Sequence, residues 1–262
     1  MKVKVLSLDG NESGSIELPS QFSEEIREDL IKRAILAIKS YKRQKYGAKE
    51  EAGKRASAKL SRRRRKYRGA YGMGISRVPR KILSRRGMRM TWVAAFAPGT
   101  VGGRRAHPPK SAKNWELKIN KKERKKAIRS ALAATASKDY IKFDKAPFVF
   151  EDKVESLNKT KEVRAVLNKI GLSEELERTA NRKVRAGRGK SRGRKYRKKK
   201  GPLIIVSKDC PLIKSAKNIQ GLDISIIRNL NAELLAPGMK LGRTTVYSQS
   251  AIEILRKEDL FN

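Results

Sequence analysis

Residues Lys2 to Leu8 read KVKVLSL, an alternation of polar and apolar positions that predicts a strand. Asp9-Gly10 is a turn signal, and Ser15–Leu18 predicts a short returning strand. A helix is expected from Ser23, whose hydroxyl is an N-cap candidate. Glu24, Glu25, Glu28 and Asp29 follow it, favourable at the positive end of the helix dipole. The apolar positions Ile26, Leu30, Ala34, Ile38 and Tyr41 keep helical spacing, and the pattern fades near Lys45-Tyr46-Gly47. From Gly47 to Asn114 no periodicity lasts beyond a turn or two. Single apolar residues stand isolated among cations there and cannot close a core of their own. A loop of this length inside a compact domain would be anomalous.

Helical order resumes at Asn120, an N-cap candidate, and runs through Ile128, Leu132 and Thr135 in an Ala-rich helix. Pro147–Glu151 predicts a short buried strand. Thr160–Ile170 predicts a helix with Val163, Val166, Leu167 and Ile170 on one face and Gly171 just past its end. Ser173–Arg178 starts another helix with acids in its first turn. Leu203–Val206 (LIIV) is wholly apolar, as a strand covered on both faces would be. Ile213–Ala216, Leu222–Ile226, Ile227–Leu235, Thr244–Tyr247 and Ala251–Arg256 continue the alternation of short strands and helices. This order predicts an α/β fold, a Rossmann-like, mostly parallel sheet flanked by helices. The expected organisation is a globular body of residues 1–46 and 115–262, an extended basic loop of residues 47–114, and a basic segment of residues 182–200 within the body.

Charge turns this outline into a functional expectation. The 262 residues carry 65 Lys and Arg against 26 Asp and Glu, a net charge of +39. Arg43 to Lys113 holds 22 basic and two acidic residues, and Arg182 to Lys200 holds 12 basic and no acidic ones. The remainder is close to balanced. A near-neutral body with two cationic appendages implies a polyanionic partner. One Cys and one His cannot build a disulfide framework or a Cys/His metal site, so neither metal nor cofactor is expected. No apolar run approaches the ~18–20 residues of a membrane span, and the N-terminus lacks the apolar stretch of a signal peptide. The expected location is cytoplasmic.

The candidate chemistry is sparse. Gly72-Met-Gly74 and Gly187-Arg-Gly189 lack the strand-to-helix context of dinucleotide loops, and suit flexible backbone beside phosphates. His107 has no acid or thiol partner in its surroundings; it fits a base-stacking or phosphate contact, or a solvated loop. Cys210 fits a small packing residue. Glu151-Asp152, Asp209 and Asp223 are scattered acids rather than the converging set that two-metal catalysis needs. No catalytic residue is assigned. Arg62 to Arg65 followed by Lys66-Tyr67-Arg68, and Arg85-Arg86 near Trp92 and Phe96, mix cations with aromatics, as irregular RNA requires. Met73, Ile75, Val78, Ile82, Met88, Met90, Val93 and Phe96 would be exposed in a free tail and suit a segment folded onto a partner. A DNA-compacting chromatin protein and an α/β RNA-modifying enzyme with a basic docking arm stand as alternatives.

Specific stretches carry a resemblance. They are Ala52–Arg55 (AGKR), Gly74–Arg80 (GISRVPR), Gly102–Lys110 (GGRRAHPPK), Ile119–Ala136 (INKKERKKAIRSALAATA), Arg185–Lys190 (RAGRGK), Arg192–Arg194 (RGR), Gly201–Val206 (GPLIIV), Leu234–Gly238 (LLAPG) and Gly242-Arg243. In that order, over nearly the whole chain, they resemble the archaeal form of the universal fourth large-subunit ribosomal protein family. The resemblance implies a non-enzymatic structural constituent of the large subunit that binds its rRNA and is not a homo-oligomer. It also implies an α/β domain on the subunit's outer face and a loop threaded through rRNA to the wall of the nascent-peptide tunnel. There the loop would form a constriction with a member of the L-twenty-two family. The residues set against rRNA are then Lys54, Arg55, Arg62, Arg63, Arg64, Arg65, Arg68, Arg77, Arg80, Arg85, Arg86, Arg104, Arg105, His107, Arg185, Arg188, Lys190, Arg192, Arg194 and Lys195. The tip is expected within Gly72 to Val93, with Met73, Ile75, Arg77, Arg80, Arg85, Arg86, Met88 and Arg89 as its candidates.

Overall fold

The computed structural model describes residues 1–87, 89–141 and 147–262; the tip candidate Met88 lies outside the described residues. The chain divides into two compact units, residues 1–41 with 116–262 and residues 42–115. In chain order the elements begin with β1 (Lys2–Leu6), β2 (Glu12–Glu17) and α1 (Glu28–Tyr41). The 42–115 unit contributes β3 (Arg80–Arg86) and β4 (Arg89–Ala94). Then come α2 (Lys121–Ala134), β5 (Phe148–Phe150), α3 (Thr160–Lys169), α4 (Ser173–Ala180), β6 (Lys183–Val184) and β7 (Tyr196–Arg197). The chain closes with β8 (Leu203–Val206), α5 (Pro211–Ala216), β9 (Asp223–Ile226), α6 (Ala232–Leu235), β10 (Thr245–Ser248) and α7 (Gln249–Lys257).

The body is an α/β fold around one six-stranded sheet of order β2-β1-β5-β10-β8-β9. All neighbours run parallel except β2, which pairs antiparallel with β1. Strand β8 shows why its sequence is apolar throughout. Leu203 and Ile205 enter one core with residues of α1, α2, α6 and α7. Ile204 and Val206 enter the other with residues of α3, α4 and α5. Successive strand side chains point to opposite faces, so a strand covered on both sides needs no polar position. At the centre, Tyr247 is fully buried, meets Phe22 edge-to-face at 5.6 Å, and reaches Thr135 Oγ1 at 3.2 Å. Burial pushes its phenol up to about 12.

Helix α2 starts as its sequence reads: Asn120 and Glu123 form a reciprocal capping box. Helix α1 does not. It begins at Glu28, and Ser23 ends a short 3-10 turn instead of capping a helix. Tertiary contacts hold residues 24–27 out of the helix. Glu24 pairs with Arg129 at 2.8 Å, the Glu25 carbonyl accepts the Ser130 hydroxyl at 2.9 Å, and the Arg27 N–H donates to Ser130 Oγ at 2.6 Å. The buried face of α1 is accordingly Ile31, Ala34, Ile35 and Ala37, while Tyr41 is exposed.

The 42–115 unit has a different constitution. Its buried side chains, among the described residues, are Ala70, Arg80 and Ala95. It nevertheless contains a hairpin that the apolar pattern did not announce, β3 against β4, with an irregularity between Ile82 and Ser84. The pattern was weak because Ile82, Met90 and Trp92 are only half-buried, while Leu83 and Val93 are exposed.

Candidate nucleic-acid interface

The two ends of the 42–115 unit close on each other. The Ala48 N–H donates to the Pro109 carbonyl at 2.9 Å. Gly53, at φ +74°, packs so tightly that an added Cβ would stand 2.5 Å from the backbone nitrogen of Arg104. This close approach brings Lys54, Arg104 and Arg105 onto one cleft of about 810 Å³ with Lys110. Arg55 is exposed and does not line it. His107 and Arg105 line a second recess with Tyr46 and Trp115. The two rings meet at a 41° tilt with centroids 4.7 Å apart, and the Arg43 guanidinium covers both, at 5.3 Å from Tyr46 and 4.7 Å from Trp115. The indole N–H of Trp115 is enclosed without a hydrogen-bond partner among the described residues.

Further along, Arg63, Arg65, Arg68, Arg86 and Arg89 share a third cleft with Tyr67, Tyr71, Met73, Met90 and Trp92. Three further arginines of this stretch hold aromatic rings. Arg85 lies 5.1 Å over Tyr67 and donates to its hydroxyl at 3.4 Å. Arg77 lies 5.3 Å over Tyr71 and donates to its hydroxyl at 3.2 Å; Arg64 stands 6.0 Å from the same ring. Arg62 is exposed and outside the cleft, and Ile75 is half-buried. Arg80 stands apart from all of these. It is 8 % exposed, donates to the Ser76 carbonyl at 2.6 Å and the Val78 carbonyl at 3.3 Å, and covers Trp92 at 5.5 Å. Its guanidinium is spent on holding the base of the hairpin.

In the body, the cationic segment between Arg182 and Lys200 forms a short β6–β7 ribbon. The Arg185 N–H donates to the Lys195 carbonyl at 2.8 Å, and Tyr196 is flanked by Arg182 at 5.8 Å and Lys195 at 5.5 Å. Arg185, Arg188, Lys190, Arg192, Arg194 and Lys195 are all exposed. The root of the ribbon is fixed by residues that charge counting passed over. Arg178 donates to the Lys200 carbonyl at 2.6 Å. Arg243, its side chain 4 % exposed, donates to the carbonyls of Gly201 at 2.7 Å and Leu234 at 2.7 Å and to Asp223 at 2.7 Å. Lys200 pairs with the same carboxylate at 2.8 Å. Burial pushes the Asp223 carboxyl up, but the Lys200 hydrogen bond and the Arg243 charge outweigh it and leave the group below its ordinary value. The Gly242-Arg243 dipeptide was the sequence signal for this anchor.

The buried polar groups at the sheet's carboxyl edge, where open α/β folds hold ligands, are taken up by hydrogen bonds. Glu155 sits there, but it accepts from the Ser207 N–H at 2.8 Å, the Ser207 hydroxyl at 2.8 Å and the Ser248 hydroxyl at 2.6 Å. Burial pushes the Cys210 thiol up, away from the thiolate a nucleophile needs. Asp152 accepts from the Ser250 N–H at 2.8 Å, and so ties the 3-10 turn after β5 to the first turn of α7. Among the described residues no group of three His, Cys, Asp or Glu could hold a metal ion, and no helix is long and apolar enough to cross a membrane. The arrangement offers exposed cations beside aromatic rings.

Comparison with known proteins agrees with that chemistry. The model of a family described as ribosomal protein L4/L1 matches residues 16–258. Among relatives, a protein of Nanoarchaeum equitans named large ribosomal subunit protein uL4 is 52% identical over the full length of both chains. A protein of the same name from Archaeoglobus fulgidus is 45% identical, covering 97% of this chain and 98% of its own. Another from Methanopyrus kandleri is 40% identical, covering 98% of each.

Proposed function

The chain belongs to the ribosomal protein L4/L1 family, and on that premise we propose that its two cationic regions seat it on large-subunit rRNA while the 42–115 unit carries its tip to the nascent-peptide tunnel. The protein is a structural constituent of the large ribosomal subunit, not an enzyme, and its place is the ribosome of the cytoplasm. The placement of charge carries the docking part of this reading. The cations concentrate in residues 43–113 and 182–200, beside exposed rings, and leave a near-balanced body. Arg and Lys neutralise phosphates so that RNA can pack against protein, and the rings offer stacking faces to unpaired bases. The tip lies within residues 72–93. Exposed backbone at Gly72–Gly74 and at Gly87 supports it, as does Met73 at 60 % exposure. The neighbour at the tunnel constriction is a member of the L-twenty-two family, and the chain works as a single copy. No observation favours the chromatin or the RNA-modifying reading.

A tagged chain sedimented through a sucrose gradient should travel with large subunits, and an RNase-treated pull-down should retain rRNA fragments of one size. A chain confined to the top of the gradient, or held on genomic DNA, overturns the reading. Removing residues 72–93 should leave subunits assembled but alter the map at the tunnel's narrowing; an unaltered map there sinks the tip assignment.

A further inference from the structure

Residues between Arg63 and Met73, with Ser84 and Arg86 of β3 and Arg89–Trp92 of β4, wall a cleft of about 890 Å³ in the 42–115 unit. That falls within the roughly 300–1,000 Å³ of sites that hold small ligands. Its rings are Tyr67, Tyr71 and Trp92, and every charged residue that lines it is Arg or Lys. Three features mark the cleft as built around something. Arg86 and Arg89 stand directly opposite each other in the hairpin register, a like-charge pair that costs stability until an anion sits between them. The Nε of Arg68 is enclosed without a hydrogen-bond partner among the described residues, and so keeps an unmet donor. Arg65 and Arg68 hold φ values of 54° and 62°, left-handed backbone that only glycine adopts freely, on either side of Lys66-Tyr67.

We propose that this cleft receives one unpaired nucleotide of the rRNA, its base against the Tyr67, Tyr71 and Trp92 rings and its phosphate between Arg86 and Arg89. This rests on the rRNA-binding reading and gives that reading a local chemistry. A paired base keeps its faces inside the helix, so the rings select a nucleotide that is bulged, looped or at a strand end. An acidic peptide would satisfy the arginines and leave the ring faces unused. Arg80, fixed by the Ser76 and Val78 carbonyls, keeps one face of Trp92, while in the free protein other guanidinium groups hold the tyrosine faces, Arg85 and Arg68 on Tyr67 and Arg77 and Arg64 on Tyr71. They act as placeholders: the base takes the ring, and the displaced guanidinium turns to the backbone phosphates on either side. Exchange of one planar partner for another lets the cleft stay ordered before and after binding.

The chain has two tryptophans, Trp92 and Trp115, so Trp115→Phe in the full-length protein leaves Trp92 as the reporter inside the cleft. The probes are a short oligouridylate, an abasic ribose-phosphate chain of equal length, and an RNA duplex of equal charge. The oligouridylate should quench Trp92, and the abasic chain and the duplex should bind without quenching. Tyr67→Ala and Tyr71→Ala should each weaken oligouridylate binding by about tenfold, the lower part of the range for base–aromatic stacking. Both should leave the abasic chain's affinity unchanged, and Tyr67→Phe and Tyr71→Phe should retain wild-type binding. Equal quenching by the abasic chain, or a tyrosine variant that weakens all three probes alike, overturns the nucleotide slot and makes the cleft a patch of charge. Such an outcome with protein that still co-sediments with large subunits removes this inference alone. Loss of co-sedimentation removes the ribosomal reading beneath it.

Discussion

The body and the 42–115 unit are held together by opposite means. In the body, Val5, Val149, Leu203, Ile205 and Tyr247 line one face of a parallel sheet, Phe148, Phe150, Ile204 and Val206 the other, and helices cover both. Each aliphatic side chain fully buried there contributes about 1.5–3 kcal/mol. In the 42–115 unit, two alanines and one arginine are the buried side chains among the described residues. Order there comes from a hairpin ladder and from guanidinium groups over Tyr46, Tyr67, Tyr71, Trp92 and Trp115. An exposed cation–π contact is worth about 0.5–1 kcal/mol. The body's stability is therefore internal, while the unit is held by the cations and rings that an RNA partner would use. A region built this way gains order from its partner without first giving up a core.

The comparison breaks most readily with paired truncations. Ile205→Ala removes a fully buried side chain between sheet and helices. It should cost about 4 kcal/mol and lower the thermal midpoint by on the order of 10 °C. Ile82→Ala removes a half-buried side chain from β3 and should leave the midpoint within about 2 °C of wild type. Calorimetry on both variants decides it: comparable drops would mean that the 42–115 unit shares the body's cooperative core.

The next largest effect belongs to the anchor of the cationic ribbon. Arg243→Ala strips hydrogen bonds from the carbonyls of Gly201 and Leu234 and removes a buried partner of Asp223. The expected cost is about 3 kcal/mol by chemical denaturation. The anchor also has a pH signature. The folded Asp223 carboxyl lies below its ordinary 3.8. The stability it contributes is therefore present above that value and lost as pH falls through the lower folded one. Asp223→Asn should flatten the acid limb of the stability curve below about pH 4. An acid limb identical to wild type would show that the Lys200–Asp223–Arg243 junction does not support the ribbon.

How much of this was legible depended on whether a residue's role was set locally. Asn120 and Glu123 lie three apart and settle the start of α2 between themselves, so the sequence pattern sufficed. Leu203–Val206 was legible because burial on both faces leaves no polar position in a strand. Ser23 misled because the fate of residues 24–27 is decided by Arg129 and Ser130, about a hundred positions away. The β3–β4 hairpin escaped notice because its alternating residues are half-buried against cations rather than against a core. Charge located the cationic regions, but it could not separate Arg80, turned inward onto Ser76 and Trp92, from Arg86 and Arg89, which line an open cleft. That distinction depends on which carbonyls and rings the fold brings near each guanidinium.

The smallest effect on stability should accompany a large effect on binding, in the ribbon itself. Arg188, Lys190, Arg192 and Arg194 are exposed, and among the described residues no hydrogen bond or ion pair engages their side chains. Replacing all four by Ala should shift the thermal midpoint by less than about 1 °C, since exposed unpaired cations hold nothing in place. Each cation that meets a phosphate releases counterions, with a salt slope of roughly −0.7 to −0.9 per contact. The quadruple variant should therefore flatten the salt dependence of rRNA binding by about three units, and weaken cognate and scrambled fragments of equal length alike. A loss confined to the cognate fragment, with the slope unchanged, would mean that these side chains read base edges. The division between a ribbon that counts phosphates and a cleft that takes a base would then fail, because both regions would be doing the cleft's work.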